Sequence, residues 1–493
     1  MTRCLPARAP RALGLAVALV SLCAPAGCLA AEARADPSGP ALCPAGAVKV
    51  PAGGSIQRAA LLAGPGGTVC LAAGLYRMQE VAPLAGQSFL GEPGTILNGA
   101  RIVAGFERAG AYWQVSGIRP YPRGGSGQCR SGTLCLQPVA LFLDGTPLRR
   151  VASRSELGPG RYFVETTAGR VVIGDDPTSR TVEVASARFA FRGEAPNVRV
   201  RGLVIEKYDS PAQEGAVEAK GPGWRVEATE VRENAGAGIG VVTGGVVRDC
   251  AIHHNGQLGA TAGGTDILFE NNRIYANNTA DFDPAWEAGG LKITESRSVT
   301  LRGNRVNRNG GPGLWCDIDC RDVLIEGNHV EENLGPGIFY EISYAAVIRR
   351  NTLRRNGDPR ATWFWDADIQ IAASEDVAVS DNDITVRPDG HAVVLIDQAR
   401  ERAQGGLYRT ARNRVHDNRF VFQGAGSAGG VSDAEPDSPN FTVIQTGRNS
   451  FDRNLYAYPA ATPPRFIWGH DLIDFTHFRA VGQEQAGTMK AQP

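Results

Sequence analysis

Net charge is the first thing missing from this sequence: 51 Lys and Arg balance 51 Asp and Glu over 493 residues. That balance argues against a nucleic acid or an anionic membrane as a partner recruited by overall charge. Zinc spacing is missing as well, since no Cys-x-x-Cys pair occurs and the 7 histidines are scattered. Past the N-terminus no stretch reaches the ~18–20 apolar residues that span a bilayer. Methionine is scarce, at 3, whereas glycine reaches 61, the balance of a turn-rich β protein.

The N-terminus carries Arg3, Arg8 and Arg11, an apolar run from Leu13 to Leu22 and then small residues through Ala35. This is the pattern of a secretory signal, which predicts export of the mature chain to a secreted or periplasmic location. Cleavage is expected in the region 31–35, with Ala26 as an alternative; a lipoprotein anchor at Cys28 is the weaker reading because Pro25-Ala26-Gly27 precedes it. An oxidising compartment permits disulfides. Local pairing predicts Cys43–Cys70, Cys129–Cys135 and Cys316–Cys320, with Cys250 free and buried. The Cys316–Cys320 bridge requires a turn after Ile318, because a straight strand holds positions four apart beyond disulfide reach.

What is present is a repeat. VTLRGNRVNRNGGPGLWCDID is followed in register by VLIEGNHVEENLGPGIFYEIS, a period of 24 residues that aligns Asn304 with Asn328, Asn309 with Asn333 and Asp317 with Glu341. Short apolar runs, Asn/Gly turns and no helical period predict a β-solenoid with one coil per repeat. Turn asparagines at Asn234, Asn255, Asn277, Asn309, Asn333 and Asn356 follow at intervals of 21, 22, 32, 24 and 23. They are expected to pair their amides from coil to coil. The interval of 32 marks an insertion, Asp281 to Glu287, just before the Asp317 coil.

Five regions follow: a signal over 1–35; an N-terminal cap and first coils over 36–108, with a short helix after Ser55 and a strand over Thr68–Leu71; an inserted β subdomain over 109–190, with hairpin turns at Asp144-Gly145 and Ala168-Gly169; the coils over 191–412; and a last coil with a C-terminal cap over 413–493, where Leu472, Phe475, Phe478 and Val481 have helical spacing.

Strand alternation points Leu314, Cys316 and Ile318 inward and leaves Trp315 and Asp317 outside; one coil later Ile338, Tyr340 and Ile342 go inward and Phe339 and Glu341 outward. Two outward carboxylates about one strand spacing (~4.8 Å) apart beside stacked aromatics look like a sugar-cleaving site. Proximity of like charges should raise one pKa, as a general acid requires. Glu287, Lys292, Trp315, Asp319, Phe339, Tyr344, Trp365 and Asp368 are the expected substrate contacts, with Trp363, Asp366 and Gln370 nearby. Each is also an ordinary surface residue by type.

The pair Gly313-Leu314-Trp315-Cys316-Asp317 and Phe339-Tyr340-Glu341-Ile342 resembles the paired motif of the β-helical glycoside hydrolases typified by the β-xylosidase family. The resemblance implies an all-β, right-handed parallel β-helix, with Asp317 as nucleophile, Glu341 as acid/base, no cofactor and a polysaccharide or oligosaccharide substrate. The chain departs from that motif at Cys316, at Ile318-Asp319-Cys320 and at Ser343-Tyr344. Other readings stay open: a Ca²⁺-dependent polysaccharide lyase with Asp317, Asp319 and Glu341 as ligands, an epimerase or other sugar enzyme, and a non-catalytic glycan-binding surface protein.

Overall fold

The computed structural model describes residues 43–118, 127–136 and 139–492. The signal segment, with Cys28 and the cleavage region, lies outside them.

Each repeat becomes a coil of three strands. Leu314–Asp317, Arg321–Glu326 and His329–Glu331 form one coil; Ile338–Glu341, Tyr344–Arg349 and Thr352–Arg354 form the next. Every strand pairs in parallel with its equivalent one coil on, Leu314 with Ile338, Val323 with Ala346 and His329 with Thr352. The stacked ladders make two long sheets of 23 and 13 strands. Leu314, Cys316, Ile338, Tyr340, Ile369 and Ile371 fill one continuous interior, where truncating a leucine or isoleucine to alanine costs about 2–5 kcal/mol.

Two asparagine ladders hold the turns. In the first, Asn234, Asn255, Asn277, Asn309 and Asn333 each donate an Nδ2–H to the Oδ1 of the next coil's asparagine at 2.9–3.0 Å, ending on Asn356. The second runs through Asn272, Asn304, Asn328, Asn351, Asn382, Asn418 and Asn454. Both end on a carboxylate, Asp368 for the first and Glu484 for the second. Arg308, Glu332 and Arg355, each just before a first-ladder asparagine, are left-handed with φ of 53–54°. That conformation is costly for a residue with a side chain, and the buried amide ladder offsets the cost.

After Asn98 the chain leaves the coils. Ala100–Val103, Leu141–Leu143, Thr146–Pro147 and Val182–Ala185 form a four-stranded sheet, and Glu107–Ala109, Tyr112–Ser116, Arg149–Arg150, Arg161–Glu165 and Arg170–Ile173 a five-stranded one. Their interior, with Val115, Leu141, Val171 and Ile173, is separate from that of the coils. Asp144-Gly145 and Ala168-Gly169 fall between antiparallel strands, and Asp144, Gly145 and Gly169 take the positive φ that such turns need.

At the N-terminal end a helix, Ile56–Ala63, is capped by the Ser55 side chain, which accepts from the Arg58 backbone N–H. The C-terminal helix is shorter than the spacing predicts. Asp474 caps it at Phe475 and it ends at Ala480, so Phe475 and Phe478 pack on the interior while Leu472 and Val481 are exposed. Among the described residues no helix is long and apolar enough to cross a membrane.

The disulfides Cys43–Cys70 and Cys129–Cys135 are formed, and Cys250 is a free, buried thiol. The expected Cys316–Cys320 bridge is not: both are free and buried. The chain does turn after Cys316, with Ile318 and Asp319 left-handed. The two thiols lie in hydrogen-bond contact with each other, and the Cys320 thiol is also directed at the backbone carbonyls of Ile293 and Asp317.

Candidate active site

The site lies on the outward face of the sheet that contains Leu314–Asp317. Lys292 pairs with Trp315 and Trp315 with Phe339, while Thr294 pairs with Asp317 and Glu341 with Ala372. Alternation thus sets Trp315, Asp317, Phe339 and Glu341 outside the coil interior on adjacent strands. Outward here does not mean exposed. All four are buried, at 3, 7, 8 and 8%, and Trp315 and Phe339 share a cluster with Ala367, Ala372 and Val394 against which Phe364 and Trp365 pack. The two rings stack at 5.3 Å between centroids and form a wall beside the acids.

Each acid meets a different cation. Lys292 Nζ stands 3.0 Å from Asp317 Oδ2 and 3.5 Å from Glu287 Oε2, donates to the Trp286 carbonyl at 3.1 Å and lies 3.8 Å from the Trp315 ring centroid. Arg400 Nη1 donates to Glu341 Oε1 at 3.0 Å. Burial and then the neighbouring Asp317 charge push Glu341 up to about 7, against the opposing pull of Arg400 and Lys292. Glu287 is raised mainly by burial, Lys292 and Gln213 working the other way. Asp317 Oδ1 is buried and has no hydrogen-bond partner among the described residues, nor has Trp315 Nε1. Buried polar atoms left unpaired are costly, and here one belongs to Asp317. The arrangement sets Glu341, its carboxyl pushed up to about 7, on the strand next to that of Asp317.

Of the expected contacts, Glu287, Lys292, Trp315, Phe339 and Trp365 gather at this pair. Three do not. Tyr344 sits under Arg321, 4.0 Å from ring centroid to guanidinium, and near Tyr408, because Ile342 is left-handed and breaks the alternation after Glu341. Asp319 lies past the same kind of turn, where its Oδ1 accepts from the Tyr408 hydroxyl at 3.1 Å. Asp368 is fully buried and accepts the last amide of the first ladder at 2.8 Å; burial pushes its carboxyl up to about 7. It is a ladder terminus, not a surface contact. Of the nearby residues, Gln370 is buried with its amide on the Ala367 and Val394 backbone, Asp366 accepts from the Asp358 N–H, and Trp363 leans on Trp365.

Asp317, Asp319 and Glu341 therefore turn to three different partners, and among the described residues no group of three or more His, Cys, Asp or Glu is placed to hold a metal ion. Arg400 and Gln213 were not foreseen. Gln213 donates to Glu287 Oε2 at 2.6 Å from 74 positions away. Both lie in connecting segments where no repeat period applies.

A family model described as a right-handed β-helix region matches residues 215–384. No curated protein matches the sequence. Among solved structures, XylC in complex with xylose aligns with 89% of this chain and 83% of its own, at 14% identity and a TM-score of 0.58. The A-module of the mannuronan C-5 epimerase AlgE6 of Azotobacter vinelandii aligns with 89% of this chain and 93% of its own, at 16% identity and a TM-score of 0.50. Identities this low speak to the fold. With the stacked parallel coils and the matching family model, they make this chain a right-handed parallel β-helix protein.

Proposed function

We propose that the protein is a retaining glycoside hydrolase that acts on a polysaccharide or oligosaccharide, with Asp317 as nucleophile and Glu341 as acid/base. The observation that carries this reading is the split between the two acids. Burial and then Asp317 push the Glu341 carboxyl up to about 7, so it keeps a share of its proton at neutral pH, while Asp317 is paired through Oδ2 to Lys292 and keeps Oδ1 unengaged. Adjacent strands lie ~4.8 Å apart, close to the ~5–5.5 Å between carboxyl groups that favours retention.

In the first step the Glu341 O–H donates its proton to the glycosidic oxygen as the bond to the anomeric carbon breaks, and Asp317 Oδ1 attacks that carbon to give a glycosyl ester. In the second, the Glu341 carboxylate takes a proton from water, whose oxygen attacks the anomeric carbon and releases Asp317. Lys292 holds Asp317 in place from the far oxygen. Side chains supply the chemistry, so a chelator is expected to leave it unchanged. Two disulfides and the N-terminal signal pattern support an exported enzyme.

The test is a panel of plant, algal and bacterial polysaccharides assayed for new reducing ends. On the cleaved substrate, Asp317→Ala and Glu341→Ala should each lower turnover on the order of 10²–10⁴-fold or more. Azide should restore part of the Glu341→Ala rate. Near-native turnover in either variant sinks the assignment. Products that carry an unsaturated uronate, or activity lost to chelator, would favour the lyase.

A further inference from the structure

The row that contains Trp315 continues across the sheet toward the N-terminus. Arg192 pairs with Glu218, Glu218 with Gly240, Gly240 with Thr261, Thr261 with Lys292 and Lys292 with Trp315. Arg192 thus faces outward in line with the carboxylate site, five strand spacings or about 24 Å away. Several sugar units of an extended chain span that distance. Between the two ends the row holds Glu218, Gly240, Thr261 and Lys292, of which Thr261 is partly exposed and the others are buried.

At the far end is a cavity of about 530 Å³ lined by Arg188, Arg192, Gln213, Glu214 and Lys220. Three of its side chains are cations and one is an anion. The Arg188 and Arg192 guanidinium groups lie 5.6 and 4.6 Å from the centroid of the same Phe189 ring, so both cations contact one aromatic ring. Glu214 meets Arg192 and Lys220 at only 3.5 and 3.7 Å, and Lys220 is closer to Glu218, at 2.6 Å. Arg192 and Lys220 keep 47 and 38% of their side chains exposed. A planar guanidinium fork with room beside it suits a carboxylate or sulfate oxygen pair. Gln213 ties this end to the other, since it lines the cavity and donates to Glu287, the partner of Lys292.

We infer that this cavity is a distal subsite for an anionic sugar unit, a carboxylate or a sulfate ester on the same glycan chain whose cleavable bond lies at Asp317 and Glu341. The inference rests on the glycan reading of that site and adds a substrate class and a direction to it. The chain runs from the carboxylates toward the N-terminal coils.

The experiment uses the full chain with Glu341→Gln, which holds substrate without turning it over, and isothermal titration with a long oligouronate, a sulfated oligosaccharide and a neutral oligoglucan. One of the two anionic chains should bind, more weakly as salt rises, and its identity separates carboxylate from sulfate. Adding Arg192→Gln or Lys220→Gln should weaken binding about tenfold to a hundredfold, and Arg192→Lys should recover part of it. A disaccharide should bind equally with and without these changes. Equal binding of the neutral chain, no binding of either anionic chain, or indifference to Arg192 and Lys220 overturns the subsite. Turnover by the unsubstituted protein separates the two readings. Charge-dependent binding with no reducing ends released sinks the hydrolase and keeps the subsite. Cleavage of neutral chains with no effect of Arg192 sinks the subsite alone.

Discussion

The outward face of the β-helix differs on the two sides of the carboxylate pair, although one alternation builds both. Toward the N-terminal coils, Asp317 is followed in its row by Thr294 and then Gly263, both partly exposed. Toward the C-terminal coils, Glu341 is followed by Ala372 and then Ile396, both buried. The cover on that side comes from the segment with Phe364, Trp365 and Ala367 and from a later one with Arg400. A solenoid repeats its strands but not its loops, so the loops decide which part of a long surface is a cleft. Here they leave the carboxylates at the edge of the covered region, with the partly exposed Thr294 and Gly263 on the N-terminal side.

The largest effect is expected at the boundary itself. Lys292→Met would leave Asp317 and Glu287 buried without their shared cation, and breaking a buried pair in this way costs about 3–5 kcal/mol. Both denaturant unfolding and turnover should show the loss. An unchanged unfolding midpoint would mean the cation is not what holds the acids.

Next is pH. In the proposed mechanism Glu341 must be protonated for the first step, and its folded value of about 7 then sets the basic limb. Turnover should fall about tenfold per unit as pH rises past 7. Arg400 pulls that value down, so Arg400→Gln should move the limb to higher pH. A limb that stays put would remove Glu341 from the acid role.

The N-terminal side can be blocked without strain. A Cβ added at Gly263 meets only the Thr294 carbonyl oxygen, at 3.6 Å. Gly263→Phe should therefore fold normally yet raise KM for long chains about tenfold, ~1.4 kcal/mol. The smallest effect is on the ladder. The Asp368 carboxyl titrates near 7 when folded against an ordinary 3.8, so the folded state binds the proton more tightly. Its stabilising contribution is full below about pH 4 and is lost as pH rises to about 7. Asp368→Asn, an isostere of the protonated acid, should raise Tm by a few degrees at pH 8, do little below about pH 4 and leave turnover alone. The same change in Tm at both pH values would contradict this.

Much of the fold follows from local rules that the sequence displays. The 24-residue period and the two-residue alternation suffice to bring Asp317 and Glu341 to neighbouring strands and to stack Trp315 on Phe339. Periodicity fails where a residue leaves the regular path. The left-handed Ile342 carries Tyr344 away from the site, and Asp368 folds inward to accept a ladder amide although its spelling, Asp-Ala-Asp, reads as surface. Cys316 and Cys320 have the turn that a bridge needs and their thiols touch, yet both are free. Arg400 and Gln213 reach the site from 59 and 74 positions away from their partners. No local pattern encodes contacts of that kind, so the burial of Glu341, which adds to the like-charge effect expected from the pairing and is the larger cause of its raised pKa, had to come from the three-dimensional structure.

The stereochemistry of the first-formed product tests the assignment of Asp317 and Glu341 most directly. With a cleaved substrate identified, proton NMR within the first turnovers should show the anomeric configuration of the new reducing end unchanged from that of the bond that was cut. An inverted anomer, or a product with an unsaturated ring, would contradict it.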